Sequence, residues 1–133
     1  MKIRSIASLA TGIALLALPL FSGAATISGK LVGHHCAHEG TVCPADKLDP
    51  HITLERDFVL LTKGNEYYFI PNLPRDVKVR HVLDDVVING ELDGKYNVIT
   101  ARELTVKGES KIAWSAKSQR EVESLFDHFD SEQ

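Results

Sequence analysis

The sequence predicts an all-β domain: a five-stranded barrel with a short helix between its third and fourth strands, followed by a C-terminal amphipathic helix. Three observations predict this class. Short runs of β-branched and aromatic residues alternate with turn signals between residues 26 and 106. Gly29 and Gly33 interrupt the first run, as a bulge or a barrel corner requires. Apolar residues then recur at helical spacing from residue 122 to residue 129.

Residues 1–25 have the pattern of a secretory signal peptide. Two basic residues precede an apolar run at residues 9–18, and small residues at 22–25 suit a signal peptidase. This apolar run is about half as long as the roughly 20 residues that a membrane-spanning helix needs. We therefore expect cleavage after Ala25, with Ala24 as the alternative, and not a membrane anchor.

Cleavage would leave residues 26–133, which we divide into a barrel at 26–107 and a tail at 108–133. Two of the 15 basic residues lie in the signal segment, and all 18 acidic residues follow it. The mature chain therefore has 13 basic and 18 acidic residues, and its net charge is −5. Proteins that grip nucleic-acid phosphates need a basic surface. We expect a periplasmic domain with no general nucleic-acid binding and no transmembrane segment.

The first predicted strand, residues 26–33, is followed by a His- and Cys-rich loop at residues 34–57. Such a long loop in a small domain is usually functional or specially tied down. Within it, Asp49 and Pro50 favour one helical turn, with the aspartate as its cap and the proline at its first position.

The remaining elements of the barrel follow in order. Residues 58–62 and 67–70 predict a hairpin, residues 75–82 a short helix, and residues 86–92 and 96–106 two strands joined by an Asp-Gly turn. Five strands with a helix between the third and the fourth is the order of an OB-fold barrel. Another small barrel or a two-layer α+β sheet is the alternative.

The tail predicts an amphipathic helix at residues 118–129. Ser118 and Glu121 have the spacing of a capping box. The helix carries an apolar stripe at helical spacing, formed by Val122, Leu125, Phe126 and Phe129. The conservative interpretation packs this stripe on the outside of the barrel. The alternative makes it a docking surface for an envelope protein or for a second copy of the chain.

Four of the six histidines and both cysteines fall between residues 34 and 51. Imidazole and thiolate ligands together suit copper or zinc. On an extended segment, His34, Cys36 and His38 would project to one side and His35 to the other. Nearby Asp46 and Asp49 would supply oxygen ligands or orient the imidazoles. The candidate metal ligands are His34, His35, Cys36, His38, Cys43 and His51.

Cys36 and Cys43 also predict a disulfide, because an even pair of cysteines in an exported domain is usually oxidised. An oxidised pair has no thiolates to give to a metal. A histidine-only site beside a disulfide satisfies both patterns, and its ligands would be His34, His38 and His51. The competing interpretation is a structural disulfide with solvated histidines beside it.

No pattern in the sequence favours catalysis. The serines form no nucleophile elbow, no carboxylate pair lies in an apolar setting, and no phosphate-binding loop or dinucleotide fingerprint occurs. The aromatic residues 67–69 are interpreted as core rather than as a stacking platform, because nucleic-acid-binding OB-folds pair aromatics with a basic groove. We therefore expect a binding protein and not an enzyme.

The chain resembles the small bacterial periplasmic OB-fold proteins in three features. These are the strand order, the two glycines of the first strand (Gly29 and Gly33) and the segment at 86–91. The resemblance covers residues 26–107 and implies a binding or envelope-stress module. The sequence therefore predicts a periplasmic binding protein that takes copper or zinc through its His/Cys loop. The alternative function is a disulfide-stabilised interaction module or an accessory factor of an envelope assembly.

Overall fold

A computed structural model of the protein describes residues 22–130. No helix in this range is long and apolar enough to cross a membrane. The predicted signal segment lies outside the described residues up to residue 21. The elements in chain order are β1 (Ser22–Gly33), α1 (His34–His38), α2 (His51–Leu54), β2 (Phe58–Leu61), β3 (Tyr67–Tyr68), α3 (Arg75–Arg80), β4 (Asp85–Asp93), β5 (Val98–Val106), β6 (Ile112–Ser115) and α4 (Ala116–Asp130).

The strands form one antiparallel sheet in the order β3-β2-β1-β4-β5-β6. The long strand β1 pairs with β4 along residues 22–30 and with β2 along residues 30–33. Where it passes from one partner to the other, β1 carries Gly29. A Cβ atom at this position would press on the backbone oxygen of Leu61, so a residue with a side chain would force the two strands apart.

The predicted five-stranded closed barrel is wrong, because the sheet has six strands and does not close. The cause lies at the edge of β5 that faces away from β4, because two short segments share this edge. Phe69, just after β3, makes an isolated parallel bridge to Val98, with its N–H donating to Asn97 at 2.8 Å. Strand β6 pairs with residues 103–105 of the same edge. Neither segment is long enough to continue the ladder and seal the sheet.

The all-β class and most of the predicted elements are confirmed. The predicted hairpin, the helix after it and the two strands after that correspond to β2–β3, α3, β4 and β5. Strand β1 begins at Ser22, four residues before the predicted mature start at Thr26, and residues 22–25 pair with residues 90–93 of β4. The predicted cleavage point therefore falls inside a strand of the described structure, and cleavage itself stays a prediction.

The tail differs from its prediction in two respects. Residues 112–115 form the edge strand β6, which the sequence analysis did not identify. Helix α4 begins at Ala116, so Ser118 is inside it and is not its cap. The side chain that caps the helix is Ser115, whose Oγ accepts the N–H of Ser118 at 3.1 Å.

Apolar side chains are buried on both faces of the sheet where β1 meets β2. The main core contains Leu31 and Leu60 together with nine other buried residues, among them Ile88 and Leu104. The neighbouring residues on the two strands point the other way, because strand side chains alternate. Val32 and Val59 form a second core with Ala37 of α1. This second core attaches the histidine-bearing helix to the sheet.

Helix α3 holds the far end of the long loop. Lys78 is only 4 % exposed, and its Nζ lies 2.7 Å from Oδ1 of Asp57, just before β2. The guanidinium of Arg75 donates to the carbonyl oxygen of Ile52 at 2.9 Å and to that of Arg56 at 3.3 Å. Because a buried charge requires a partner, Lys78 fixes the start of β2 through Asp57, and the exposed Arg75 adds two hydrogen bonds to the segment around α2.

Gly90 provides a test of the register between β4 and β5. It lies at a register shift in this ladder, and a Cβ atom there would overlap the backbone of Thr100. We expect Gly90→Ala to lower the free energy of unfolding by about 1–3 kcal/mol, because backbone atoms must move to accommodate the methyl group. Gly94→Ala is the matched control, since a Cβ atom at that turn meets open space. Urea denaturation of both variants checks this, and equal stabilities would contradict it.

Candidate metal-binding site

The first histidines of the loop lie on a helix and not on an extended segment. Helix α1 starts immediately after β1, so the predicted one-sided projection of His34, Cys36 and His38 is wrong. Residues four apart on a helix share a face, whereas residues two apart do not. His34 and His38 therefore lie on one face, with Cys36 directed elsewhere.

Cys36 and Cys43 form a disulfide, with their Cα atoms 5.7 Å apart, so this prediction is confirmed. The bond closes a small loop, which a hydrogen bond from the Thr41 N–H to the Cys36 carbonyl also holds, at 2.8 Å. Cross-linking residues at a sequence separation of 7 stabilises a fold by about 2 kcal/mol. Neither sulfur is a thiolate while this bond is intact, so neither can serve as a thiolate ligand.

Glu55 lies against both the helix and the disulfide. Its Oε1 accepts the N–H of His35 at 3.0 Å, which satisfies one of the unpaired donors at the start of α1. Its Oε2 lies 3.8 Å from Sγ of Cys43. A Cβ atom at Gly33 would overlap the Glu55 carboxylate, so a larger residue there would displace this side chain. Sequence analysis did not identify Glu55, since nothing in its neighbourhood distinguishes it from other acidic residues.

The four predicted histidines of the loop line one cavity of about 460 Å³. The other lining residues come from α2 and the segment after it, and the complete set is His34, His35, His38, His51, Leu54, Glu55 and Arg56. The fold thus brings together imidazoles separated by up to 17 positions in the chain. His81 is not part of this group, and its Nδ1 lies 3.2 Å from Asp84.

Two aromatic side chains of the sheet hold the α1 histidines in place. The hydroxyl of Tyr67 lies 3.2 Å from Nδ1 of His38. The ring of His34 packs on Phe69, with ring centroids 4.8 Å apart. Tyr67 and Phe69 are partly buried and pack against the second core, whereas Tyr68 packs against the main core. These aromatics are thus partly buried against the two cores and are not part of the fully buried set, and their contact with the histidines was not predicted.

Asp49 orients His51. Because a carboxylate only accepts hydrogen bonds, the Nδ1–H of His51 donates to Oδ1 of Asp49, at 2.9 Å. The same carboxylate accepts the backbone N–H groups of Ala45 at 2.8 Å and of His51 at 2.9 Å. These hydrogen bonds, that from Ala45 first, lower the pKa of Asp49 from 3.8 to about 2. The predicted contact of Asp49 with an imidazole is present, but the predicted cap is wrong by one residue, because α2 begins at His51, its N-cap residue is Pro50, and no side chain caps it.

The histidines do not already form a coordination sphere. Among residues 22–130, only Cys36, Cys43 and Glu55 bring three potential ligand atoms within 4.8 Å of one another, and the disulfide occupies both sulfurs. Nδ1 of His38 and Nδ1 of His51 are engaged by the protein, so Nε2 is the nitrogen of each ring that remains for a ligand. A metal would bind here only if side chains rotate or α2 moves.

A larger groove of about 670 Å³ lies elsewhere, beside the turn between β2 and β3. Val42 and Leu61 contribute to its apolar walls. Its charged residues include Lys30 and Asp85, which already pair with each other at 3.3 Å. None of the predicted metal ligands lines this groove, so its size does not make it the candidate site.

Comparison of the chain with protein-family models, with curated proteins and with solved structures finds no match. The functional argument therefore depends on the geometry of the cavity.

The pKa of Asp49 is directly testable. Because the pKa of Asp49 is lower in the folded state than in the unfolded chain, the ionised carboxylate stabilises the fold, and it does so fully above about pH 4. This stabilisation is lost as the pH falls from 3.8 towards 2. We expect NMR titration of the side-chain carboxyl to give a midpoint of about 2. His51→Ala should raise the midpoint but leave it below 3.8, because the donor at Ala45 remains. An ordinary midpoint in the unmodified protein would refute this assignment.

Proposed function

We propose that the protein is a periplasmic, non-enzymatic binding protein that takes up copper or zinc through His34, His38 and His51. The convergence of four loop histidines on one cavity is the observation that carries the proposal. Imidazole is the commonest protein ligand for these metals, and the arrangement offers nitrogen donors from two separate helices. His35 lines the same cavity and is a further candidate ligand.

The position of His34 and His38 supports this proposal. The two residues are one helical turn apart, a spacing at which two imidazoles can bind one metal ion. Their ring centroids are 6.4 Å apart. Both rings extend from the same helix, so side-chain rotation alone is enough to direct one nitrogen of each ring at a common ion.

The residues behind the histidines support it further. Metal-binding histidines usually donate their second ring N–H to a carboxylate or another polar group, which sets the tautomer and the ring orientation. Asp49 has this relation to His51 and Tyr67 has it to His38. Each contact leaves Nε2 as the donor nitrogen.

The disulfide favours a nitrogen-rich site. With both sulfurs oxidised, the cavity offers imidazole and carboxylate donors, which suit Zn²⁺ and Cu²⁺ better than Cu⁺. A disulfide is also what an oxidising compartment maintains, in keeping with the predicted signal peptide and a periplasmic location.

The decisive experiment is native mass spectrometry of the mature protein, purified without chelators or affinity histidines and mixed with one equivalent of Zn²⁺ or Cu²⁺. We expect a single stoichiometric adduct that the triple variant His34→Ala/His38→Ala/His51→Ala loses. His128→Ala is the matched control and should keep the adduct, because His128 lies on α4, outside the cavity. An absent adduct, or one that survives the triple substitution, would disprove the proposal.

Asp49 should act as a positioning residue in this site. Asp49→Asn removes the carboxylate that accepts from Nδ1 of His51, and we expect metal affinity to fall by about 10–100-fold. Asp46→Asn is the matched control, because the Asp46 carboxylate accepts a backbone N–H from Leu48 and does not contact a histidine. Competition titration with a chromophoric chelator measures both affinities, and equal losses would show that general loop stability is responsible.

A second candidate function is a disulfide-stabilised interaction module or an accessory factor of an envelope assembly, in which the loop serves as a recognition surface. The disulfide and the exposed stripe on α4 favour it. The triple histidine variant separates the two candidates, because it should abolish metal uptake in the first case and leave partner binding nearly unchanged in the second.

A further inference from the structure

Helix α4 is attached to the sheet only by its beginning. Ala116 packs on the main core, and Nε1–H of Trp114 donates to Oε1 of Gln119 at 3.2 Å. Every side chain from residue 120 to residue 129 is exposed. The helix therefore extends away from the rest of the described chain after its first turns.

The exposed part of α4 carries a large apolar stripe. Val122, Leu125, Phe126 and Phe129 are 48 %, 60 %, 65 % and 64 % exposed. The conservative expectation that this stripe packs on its own domain is wrong. Contiguous exposed apolar side chains of this size usually mark an interface, and a helix of this length is marginal in water unless its apolar face is covered.

A pocket of about 320 Å³ continues the stripe towards the start of the helix. It lies between α4 and the edge strand β6, and its residues are Ile112, Ala113, Trp114, Ser115, Ser118, Gln119 and Val122. The small side chain of Ser118 leaves the space open on the stripe face of the helix. Each chain therefore presents a hole near residue 118 and an aromatic side chain, Phe129, three turns further along the same face.

We propose that α4 pairs antiparallel with α4 of a second copy of this chain, so that Phe129 of each copy enters the pocket of the other. In this register the pocket beside Ser118 receives Phe129, and Val122 of each copy faces Leu125 of the other. The contact is self-complementary about a two-fold axis, as closed dimers require. The pocket and the protruding Phe129 lie on the same helix. Only the antiparallel orientation brings the Phe129 side chain of each copy to the pocket of the other.

The charges along α4 fit this orientation. Lys117 and Arg120 lie in the first half of the helix, whereas Asp127 lies near its other end. Antiparallel pairing places the basic end of each helix beside the acidic end of the other, whereas parallel pairing would align like charges. A helix whose outer half is acidic is also unsuited to anionic lipid surfaces, which attract basic amphipathic helices.

Sedimentation velocity of the mature full chain, up to several hundred micromolar, tests the proposal. We expect the mass to rise from that of a monomer to that of a dimer with concentration. Phe129→Glu and Ile112→Glu should each weaken dimerisation at least tenfold, although they lie at opposite ends of the contact surface. Leu48→Glu is the matched control and should dimerise normally, because Leu48 is an exposed apolar residue outside this surface.

Orientation is tested with a short thiol cross-linker. Residues 121 and 128 lie on the same flank of the stripe, so Glu121→Cys in one copy should cross-link to His128→Cys in the other, whereas Glu121→Cys alone should give little product. A monomeric wild-type protein at all concentrations would overturn the proposal. So would a dimer insensitive to both glutamate substitutions, or a monomer that binds lipid vesicles through α4.

Discussion

The change of partner along β1 is the constraint on which the rest of the structure depends. This strand pairs with β4 along most of its length and with β2 only at its end, and Gly29 permits the close approach where the exchange occurs. Beyond the exchange, β1 and β2 bury side chains on both faces. Helix α1 starts directly from the end of β1, so the same exchange determines where the histidines lie.

The candidate site combines a rigid part and an adjustable part. His34 and His38 are held by α1, the disulfide, and aromatic contacts from β3 and the residue after it. His51 lies on a single helical turn whose partners are Asp49 and, through backbone carbonyls, Arg75. A site of this kind suits ligand-induced closure, since only the second part needs to move to complete the set of donors.

Several parts of the molecule were predictable because their causes are local. The hairpin, helix α3 and the strands β4 and β5 follow from short-range alternation and turn residues, and the disulfide follows from two cysteines in a predicted exported domain. Strand β6 was missed because three apolar residues between polar ones are too few to indicate a strand without the β5 edge beside them. Helix α1 was missed because His, Cys and Ala over five residues have no decisive local preference.

The sequence by itself determined the strand alternation, the apolar stripe of α4 and which residues are capable of binding a metal, because each of these depends on residue type and on spacing along the chain. Only the tertiary structure decided that the sheet stays open, that Tyr67 and Phe69 contact the histidines of α1, and that the stripe of α4 is exposed. These outcomes depend on which segments reach the same place in space. Local spacing cannot specify that, because it arises from pairing between residues far apart in the chain.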